Sequence, residues 1–376
     1  MKPAVCLVVS SPFTLNAFLS AHLTALARDF RVGMIVNLAD EPIEPRVPPG
    51  VELIHVRIMR KVDIRRDLAA LFALWRLFRV RRFASVHSLS PKAGLLAMLA
   101  ARAAGIPVRL HTFTGQVWAT RHGPGRWLFK LLDRIMARAA TRVFADSASQ
   151  CDFLVDEGIV PRQRIGVLGA GSISGVDTTR FRPDATARAR IRAAIGVGDD
   201  TMLLLYVGRM KVEKGIPELL DALSEVRSYR PEVRLMLVGP DEDRLFVDGA
   251  PAGAIVVGYT NEVSAYMAAA DMLVLPSHRE GFGSVIIEAA ACGIPSVASR
   301  IYGLTDAVVD GVTGVLHPPR DPSAIAQCIV RLLNDSAARR RMGMAARERA
   351  LAEFDQSAVT KAWCAYYRRA VAGRAD

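Results

Sequence analysis

Cysteine and long apolar runs are both scarce in this 376-residue chain. Its five cysteines lie far apart, are odd in number and form no Cys-x-x-Cys pair. We therefore expect neither a disulfide framework nor a zinc site, and a reducing cytosol is the simplest location. Arginines interrupt every apolar stretch before it reaches the length of a membrane-spanning helix. The first apolar run soon meets Ser10, Ser11 and Pro12, so it is too brief for a signal peptide and predicts a buried strand.

Acidic residues are outnumbered by basic ones, because 37 Asp and Glu stand against 49 Lys and Arg, a formal net charge of +12. Such a surplus attracts anionic lipid, phosphorylated substrates or nucleic acid alike. Basic residues crowd around the apolar run LAALFALW at 68–75: Arg57, Arg60, Lys61, Arg65, Arg66, Arg76, Arg79, Arg81 and Arg82. The pattern predicts a helix that contacts an anionic membrane surface, and a core-packing helix with a solvated basic face is the alternative.

Short apolar runs alternate with helical patterns in two successive sets. The first set contains AVCLVV, VGMIV, SVHSL, VRLHTF and RVFADS, and the second contains MLLLYVG, RLMLVG, AIVVGY, MLVLPS and SVAS. A segment rich in Gly, Ser and Thr at 167–182 separates them and has the composition of a linker. Strands that alternate with helices form right-handed βαβ units. The sequence therefore predicts an α/β fold with two doubly wound, Rossmann-like domains, residues 1–170 and 180–355, and a ligand cleft between them.

Two cations follow the first strand of the second set. In YVGRMKVEKG, Gly208 ends the strand, and Arg209 and Lys214 lie on the loop behind it. Glycine lets the backbone approach a ligand closely, arginine can bind phosphate as a bidentate fork, and lysine adds a point charge. The loop predicts an anion clamp for a diphosphate, and the alternative is a strand-end turn with ordinary surface cations.

Two carboxylates stand eight positions apart in HREGFGSVIIEAAACGIPSVAS. Glu280 lies on a loop, and Glu288 lies about one turn into the helix that begins at Ser284, so both can face one ligand. Gly281 and Gly283 open that helix, whose amide groups and positive dipole end favour a phosphate. The carboxylate on the helix can accept hydrogen bonds from ribose hydroxyls, and the one on the loop from sugar hydroxyls.

These motifs together carry a resemblance. YVGRMKVEKG, PSHREGFGSVIIEAAACGIPSVAS and GVTGVLHPPRDP resemble the retaining glycosyltransferases of family 4, which share the GT-B architecture, and the resemblance covers nearly the whole chain. It implies that Arg209 and Lys214 stabilise the departing nucleoside diphosphate, that Glu288 binds the ribose and that Glu280 contacts the transferred sugar. The remaining donor contacts that we expect come from the backbone and the base-binding loop: Gly208, Gly258, Tyr259, Gly281, Phe282, Gly283 and Ser284.

The N-terminal half resembles one subgroup of this family. HSLSPKAGLLAMLAARAAGIPVRLHTFTGQVW and GSISGVDTTRF are similar to enzymes that extend polyprenyl-diphosphate-linked sugars in bacterial surface glycans. The resemblance implies that His111, at a strand end, faces the acceptor or the sugar, with a structural histidine as the alternative. Ser90, Lys92 and Gly94 precede a helix and could seat the acceptor diphosphate, although a plain N-cap explains Ser90 nearly as well. A C-terminal helix, residues 356–376, is expected to pack back on the first domain.

The loop after the first strand departs from the family pattern, and an Asp-x-Asp pair in the second half looks like a metal motif of another architecture. Many relatives carry paired glycines after the first strand, whereas this chain has SSPFTLNAF, which leaves Ser11 and Asn16 as guesses for donor contacts. Asp241 and Asp243 form an Asp-x-Asp pair, which holds a divalent metal in another glycosyltransferase architecture. Here the pair leads from LVGP into a loop beside Arg244. We expect no metal site and no required cofactor, with the two clamp cations supplying the positive charge.

The resemblance implies a retaining hexosyltransferase that moves a sugar from a nucleotide-diphosphate sugar to a lipid-linked, polyprenyl-diphosphate saccharide. UDP and an N-acetylhexosamine are the guesses for the donor, and the products would be surface glycans such as lipopolysaccharide or capsule. The enzyme would act in the cytoplasm, peripherally on the inner face of the cytoplasmic membrane. The alternative is an epimerase or hydrolase of nucleotide sugars on the same scaffold.

Two further classes are disfavoured by the sequence. A dinucleotide-dependent oxidoreductase would require a Gly-x-Gly-x-x-Gly that follows a strand and opens a helix, and the chain has no such motif. A nucleic-acid binder would account for the charge, but the sequence lacks an aromatic platform and a recognisable reading module. We therefore expect no nucleic-acid partner.

Overall fold

The chain folds into two compact units in a computed structural model that describes residues 2–39, 44–59 and 62–373. Unit 1 comprises Met1–Ser174 and Gln356–Asp376, and unit 2 comprises Gly175–Asp355. Each unit has a parallel sheet whose strands alternate with helices. The predicted α/β fold with two Rossmann-like domains is thereby confirmed.

The elements follow one another in the alternating order expected for doubly wound sheets. In chain order the strands are β1 Ala4–Val8, β2 Arg31–Val36, β3 Val51–His55, β4 Ser85–Ser88, β5 Val108–Phe113, β6 Arg142–Ala145, β7 Ile165–Val167, β8 Leu203–Val207, β9 Arg234–Val238, β10 Ala254–Gly258, β11 Met272–Leu275, β12 Ser296–Ser299 and β13 Gly314–His317. The helices are α1 Pro12–Thr14, α2 Ser20–Asp29, α3 Ile64–Arg81, α4 Pro91–Ala103, α5 Gly123–Ala139, α6 Ala148–Asp156, α7 Ala185–Ala194, α8 Ile216–Tyr229, α9 Val263–Ala269, α10 Ser284–Ala291, α11 Leu304–Ala307, α12 Pro322–Asn334, α13 Ser336–Glu353 and α14 Gln356–Val371. A π-helical turn, Leu15–Leu19, joins α1 to α2.

The sheet of unit 1 has the strand order β3-β2-β1-β4-β5-β6-β7 within the described residues. Its central strands are buried on both faces, as expected of a parallel sheet that helices cover on both sides. One core cluster joins the sheet to α3, α4 and α5, and a second joins it to α2 and α14. The edge strand β3 was not predicted, because its residues are half-exposed and do not form an apolar run.

The C-terminal helix α14 belongs to unit 1 and completes its core. Trp363 stacks on the imidazoles of His22 and His87, with ring centroids 4.5 and 4.9 Å apart. The Tyr367 hydroxyl lies 2.8 Å from His87 Nδ1, and the Thr360 hydroxyl lies 2.8 Å from His22 Nδ1. Because these rings and hydroxyls are buried, the helix supplies both apolar surface and hydrogen-bond partners that the first 174 residues do not supply themselves.

The sheet of unit 2 has the strand order β10-β9-β8-β11-β12-β13 within the described residues. The chain runs outward from β8 through β9 to β10 and then returns to the other side of β8 at β11. This reversal is a topological switch point, and the carboxyl ends of β8 and β11 therefore lie side by side. Open α/β sheets bind their ligands at such positions.

The segment predicted as a linker is largely packed. Ser172 and Ile173 are buried in unit 1, and Val176 is buried in unit 2, where its amide donates to Phe354 O at 2.8 Å. The composition indicated a linker rather than a helix or strand, and much of this linker is buried in the two units. As for membrane crossing, none of the helices in the described ranges combines the length and the apolar character of a bilayer span.

Candidate active site

Gly208 and Arg209 stand at the carboxyl end of β8. A Cβ on Gly208 would lie 2.9 Å from the Tyr206 hydroxyl, and the φ of Gly208 is +152°, so this position requires glycine. The backbone of β9 passes equally close, since a Cβ on Gly239 would meet Gly208 O at 2.0 Å. The guanidinium of Arg209 is half-exposed and lies 3.4 Å from Glu242. It is thus held loosely at the sheet edge and remains accessible to an anion.

Lys214 lies on a 3₁₀ turn that packs against the end of β11. The next residue, Gly215, has a φ of +73°, and a Cβ there would lie 2.2 Å from Pro276 O, so only glycine allows this approach. Lys214 Nζ contacts Glu280 Oε1 at 2.5 Å, and both side chains are largely buried. Residues separated by 66 positions are therefore paired at the switch point of unit 2.

The loop that carries Glu280 is fixed by several further contacts. The Ser277 hydroxyl donates to Glu280 Oε1 at 2.9 Å. Arg279 pairs with Glu213 at 3.0 Å, and the amide of His278 donates to Glu213 O at 3.1 Å. These contacts tie the turn after β8 to the loop after β11. Sequence reasoning missed Ser277, Glu213 and Arg279; their positions directly beside the predicted clamp and carboxylate were the available signal.

The backbone at the start of α10 is shaped by two residues with different roles. Phe282 turns its ring into the core, where it packs on Phe354 with centroids 5.2 Å apart. Gly283 has a φ of +79°, and a Cβ there would lie 2.5 Å from a methyl group of Leu304. Because the Phe282 side chain is occupied in the core, its backbone is the part that can face a ligand. Ser284 then begins α10, and its turn brings the positive end of the helix dipole to the same sheet edge.

Glu288 is the second predicted carboxylate and lies within α10. Burial raises its pKa to about 7, and the positive charge of Arg180 partly opposes this shift. The carboxyl group therefore changes its charge near neutral pH. A hydroxyl ligand that donates to the carboxylate would favour the ionised form.

The loop after β10 presents an exposed aromatic ring. Gly258 has a φ of +78°, and its carbonyl accepts from the amide of Gly239 at 2.8 Å, which ties β10 to the end of β9. Tyr259 is 64% exposed, and its hydroxyl lies 3.1 Å from Asn261 Oδ1. An exposed tyrosine at the carboxyl edge of the sheet offers a face on which a planar base can stack.

The Asp-x-Asp carboxylates bind backbone amides. Asp241 accepts from Leu245 N at 2.8 Å and from Phe246 N at 3.0 Å. Asp243 accepts from Val212 N at 3.0 Å. Both side chains thus hold the shape of the loops beside the clamp. In the ranges that the structure describes, no group of three His, Cys, Asp or Glu side chains is arranged to hold a metal ion.

His111 is buried within β5 of unit 1, two residues before the strand ends, so the predicted position at a strand end is wrong. Its Nδ1 lies 2.8 Å from the Ser88 hydroxyl, and burial lowers its pKa to about 3, so the ring is neutral at physiological pH. A Cβ on Gly94 would lie 2.5 Å from His111 Cε1. Gly94 therefore makes room for the imidazole, and packing explains this glycine without an acceptor diphosphate.

The other predicted contacts of unit 1 also have protein partners. Ser90 Oγ accepts from the amide of Ser10 at 3.1 Å, and Lys92 Nζ pairs with Asp67 at 2.6 Å. The structure gives the two loop guesses local roles as well, since Ser11 Oγ accepts from Phe13 N at 3.1 Å and Asn16 Oδ1 accepts from Arg46 N at 2.7 Å. The Ser10–Ser90 hydrogen bond joins the loops after β1 and β4.

Helix α3 combines the two alternatives that the sequence left open. One side is buried in the core through Leu74 and Phe78. The other side carries Leu68 and Phe72, each 61% exposed and one turn apart, beside exposed arginines such as Arg76. Two members of the basic group, Arg60 and Lys61, lie outside the described residues. The helix therefore packs on the core and still displays an apolar, basic surface.

Comparisons with known proteins agree with the sequence motifs. Residues 187–349 match the family described as glycosyl transferases group 1, and residues 18–171 match the glycosyl transferase 4-like domain. The capsular polysaccharide biosynthesis glycosyltransferase CapM of Staphylococcus aureus is 30% identical over 317 residues, which cover 82% of this chain and 83% of that protein. D-inositol 3-phosphate glycosyltransferase of Frankia alni is also 30% identical, over 94% of this chain and 93% of its own. Among solved structures, HepE of Anabaena in complex with UDP and glucose superposes with a TM-score of 0.79 at 19% identity, over 98% of this chain and 100% of that one.

Proposed function

Because the chain belongs to the group 1 glycosyl transferases and has their GT-B fold, we propose that it is a retaining enzyme that uses a nucleotide-diphosphate sugar as donor. The observation that carries this proposal is the pairing of Lys214 with Glu280 at the switch point of unit 2. Arg209 stands at the end of the neighbouring strand, and α10 begins a few residues after the glutamate. The diphosphate is assigned to this edge, the ribose to Glu288 and the base to Tyr259.

Charge development during transfer explains why this arrangement suits catalysis. The bond between the anomeric carbon and the β-phosphate oxygen breaks, so negative charge builds on the diphosphate while the sugar gains oxocarbenium character. Preorganised cations and a helix N-terminus lower the free energy of that transition state. Arg209 and Lys214 are the cations in this role. Glu280 positions Lys214 and also contacts the sugar hydroxyls.

The stereochemical course that we propose is retention by attack on the same face. The acceptor hydroxyl attacks the anomeric carbon, and its proton passes to the departing phosphate. Retaining hydrolases instead use a carboxylate nucleophile about 5–5.5 Å from a second carboxyl group. In unit 2, Glu280 is engaged by Lys214 and Ser277, which suits a positioning carboxylate better than a nucleophile. The reaction is proposed to need no metal, so excess EDTA should leave turnover unchanged.

The donor is proposed to be a UDP-sugar carrying an N-acetylhexosamine. HepE, which shares the fold, was solved with UDP and glucose, and this supports UDP as the first base to test. Thermal unfolding should be measured with UDP, GDP and ADP, because a ligand at a hundred times its dissociation constant adds about 2.7 kcal/mol of stability. The donor proposal fails if none of the three raises the melting temperature. Release of free sugar or an epimer without any acceptor would favour the epimerase or hydrolase alternative.

The acceptor is proposed to be a polyprenyl-diphosphate-linked saccharide at an anionic bilayer on the cytoplasmic side. The apolar surface of α3 around Leu68 and Phe72, with the arginines beside it, fits a bilayer interface that contains anionic lipid. In unit 1 a second exposed apolar pair, Trp127 and Leu128, lies on α5, and α4 packs against both helices. CapM, a capsular polysaccharide glycosyltransferase, supports an acceptor in surface glycan assembly.

Flotation with lipid vesicles tests the membrane proposal. We expect the protein to float with phosphatidylglycerol-containing vesicles and much less with phosphatidylcholine alone. The double change Leu68→Glu with Phe72→Glu should abolish flotation. The double change Tyr229→Glu with Val247→Glu, at two equally exposed residues of unit 2, should leave it intact. Equal flotation of all three proteins would refute a role for α3.

A further inference from the structure

Three buried polar residues meet at the carboxyl ends of β5 and β6, and the proposed function does not use them. Gln116 follows β5, Asp146 follows β6, and Gln150 lies near the start of α6. Gln150 Oε1 accepts from the amide of Asp146 at 2.9 Å, and Gln150 Nε2 donates to Gln116 Oε1 at 3.2 Å. We call these three residues the Gln116–Asp146–Gln150 cluster. Gln150 is thus bonded to both of the others.

Two atoms of this cluster are buried without a hydrogen-bond partner among the residues that the structure describes: Asp146 Oδ1 and Gln116 Nε2. Asp146 is 6% exposed and Gln116 is 1% exposed. Burying polar atoms without partners opposes folding, so buried polar groups in native proteins are nearly always paired. Each unpaired buried group in a native protein therefore calls for an explanation, and a functional role that is retained at a cost in stability is one of them.

The chemistry of the cluster selects one class of ligand. Burial raises the pKa of Asp146 to about 8, so its carboxyl group is uncharged at neutral pH. An uncharged carboxyl group and a carboxamide can each donate and accept hydrogen bonds. Neutral sugar hydroxyls, which also donate and accept, match this set. The cluster contains no cation that would favour a phosphate, and a metal ion would favour ionised carboxylates.

We propose that the Gln116–Asp146–Gln150 cluster binds hydroxyl groups of the acceptor's sugar. This inference rests on the proposed function, because it assigns the acceptor saccharide to unit 1. Asp146 and Gln116 contact the sugar, and Gln150 positions both. The carboxyl ends of the strands in an open α/β sheet are where ligands bind, and the cluster lies at that edge. The amide of Ser172, a residue with a φ of +63°, donates to Asp146 O at 2.7 Å and anchors the following loop to the cluster.

Calorimetric titration of the full chain tests the proposal with three probes. The probes are farnesyl-diphosphate-linked N-acetylglucosamine, octyl N-acetylglucosaminide and farnesyl diphosphate, which carries no sugar. Asp146→Leu replaces the carboxyl group with an apolar side chain of similar size and should weaken binding of the two sugar-bearing probes about tenfold, the usual effect of one lost hydrogen bond to a ligand. Binding of farnesyl diphosphate should not change. The melting temperature of this variant should equal or exceed that of the parent.

Asp133→Leu, which removes the acceptor of Trp118 Nε1, is the matched control in the same unit. Asp133 also carries a buried carboxyl group, but it accepts from Trp118 Nε1 at 2.7 Å. Its replacement should therefore lower the melting temperature and leave all three affinities unchanged. The proposal is overturned if Asp146→Leu leaves the affinity for the sugar-bearing probes unchanged, if it weakens binding of farnesyl diphosphate equally, or if neither sugar-bearing probe binds the parent.

Nucleotide binding separates failure of this inference from failure of the proposed function. The melting temperature of the same preparations should rise with the nucleotide that stabilises the parent, and Asp146→Leu should not alter that rise. If the nucleotide binds while the sugar-bearing probes do not, the acceptor subsite alone is wrong. If no nucleotide binds, the proposed transferase function itself is wrong.

Discussion

Lys214→Ala removes the cation that contacts Glu280 at the switch point of unit 2. We expect kcat to fall by about two to three orders of magnitude, because loss of one preorganised charge-stabilising donor costs about 2.7–4 kcal/mol in the transition state. The matched control is Lys211→Ala. Lys211 lies on the same loop and pairs with Glu242 at 3.3 Å and Asp243 at 3.6 Å, whereas Lys214 pairs with Glu280. Its removal should change kcat by less than about threefold, as expected for a partly exposed ion pair.

The stability of the same variants distinguishes catalysis from folding. Lys214→Ala leaves the largely buried Glu280 carboxylate with the Ser277 hydroxyl as a partner, so we expect about 1–3 kcal/mol of destabilisation. The double change with Glu280→Gln removes both charges and should recover most of that loss. It should not recover turnover, because the cation is still missing.

The decisive measurements are initial rates at saturating donor and thermal unfolding. Both should be made on the parent, Lys214→Ala, Lys211→Ala and the double variant Lys214→Ala with Glu280→Gln. Turnover close to the parent in a folded Lys214→Ala protein would refute the clamp. A double variant that regains turnover together with stability would show that the lysine matters for folding alone.

Three further outcomes are expected. Ribose hydroxyls favour the ionised form of Glu288, whose pKa is raised to about 7, so donor affinity should strengthen as pH rises towards that value. Below pH 7 the dissociation constant should fall by up to about tenfold per pH unit. Glu288→Gln should flatten this pH dependence in titrations of the nucleotide. Tyr259→Ala should weaken nucleotide binding about 5–150-fold if the base stacks on this ring, measured by the same titration. Burial lowers the pKa of His22 to about 4 in the folded protein, whereas in the unfolded chain this pKa is about 6.5. As pH falls below about 6.5, the unfolded chain therefore binds a proton that the folded protein does not, and the free energy of unfolding should decrease by about 3 kcal/mol by pH 4. Urea unfolding of the parent and His22→Gln checks this loss, which should be smaller in the variant.

The alternation of apolar runs and helical patterns was enough to predict both Rossmann-like units. A buried parallel strand is a short, continuous apolar run, and this signal is local in sequence, as in MLLLYVG before the clamp. Elements without that signal were missed. β7 has only three residues and ends at Val167, where the segment that was read as a linker begins. β13 lies in GVTGVLH, where glycine and threonine interrupt the apolar run.

The order of strands, in contrast, depends on contacts between distant segments. The switch between β8 and β11 brings Lys214 to Glu280, although sequence reasoning assigned the two residues separately to phosphate and to sugar. Ser277, Glu213 and Arg279 acquire their roles from the same contact. Their side chains are ordinary in type, so their letters alone carried little information.

The sequence by itself determined the fold class, the two units and the short motifs that carry the chemistry, because strand patterns, helix starts and glycine turns are encoded within a few residues. Packing of a C-terminal helix on the first domain was also expected from the sequence. Tertiary structure alone decided that Gly94 makes room for His111 and that, within the described residues, Asp146 and Gln116 are buried with unpaired atoms. Steric fit, burial and hydrogen-bond satisfaction depend on groups far apart in the chain, and they exist only once the sheets have formed.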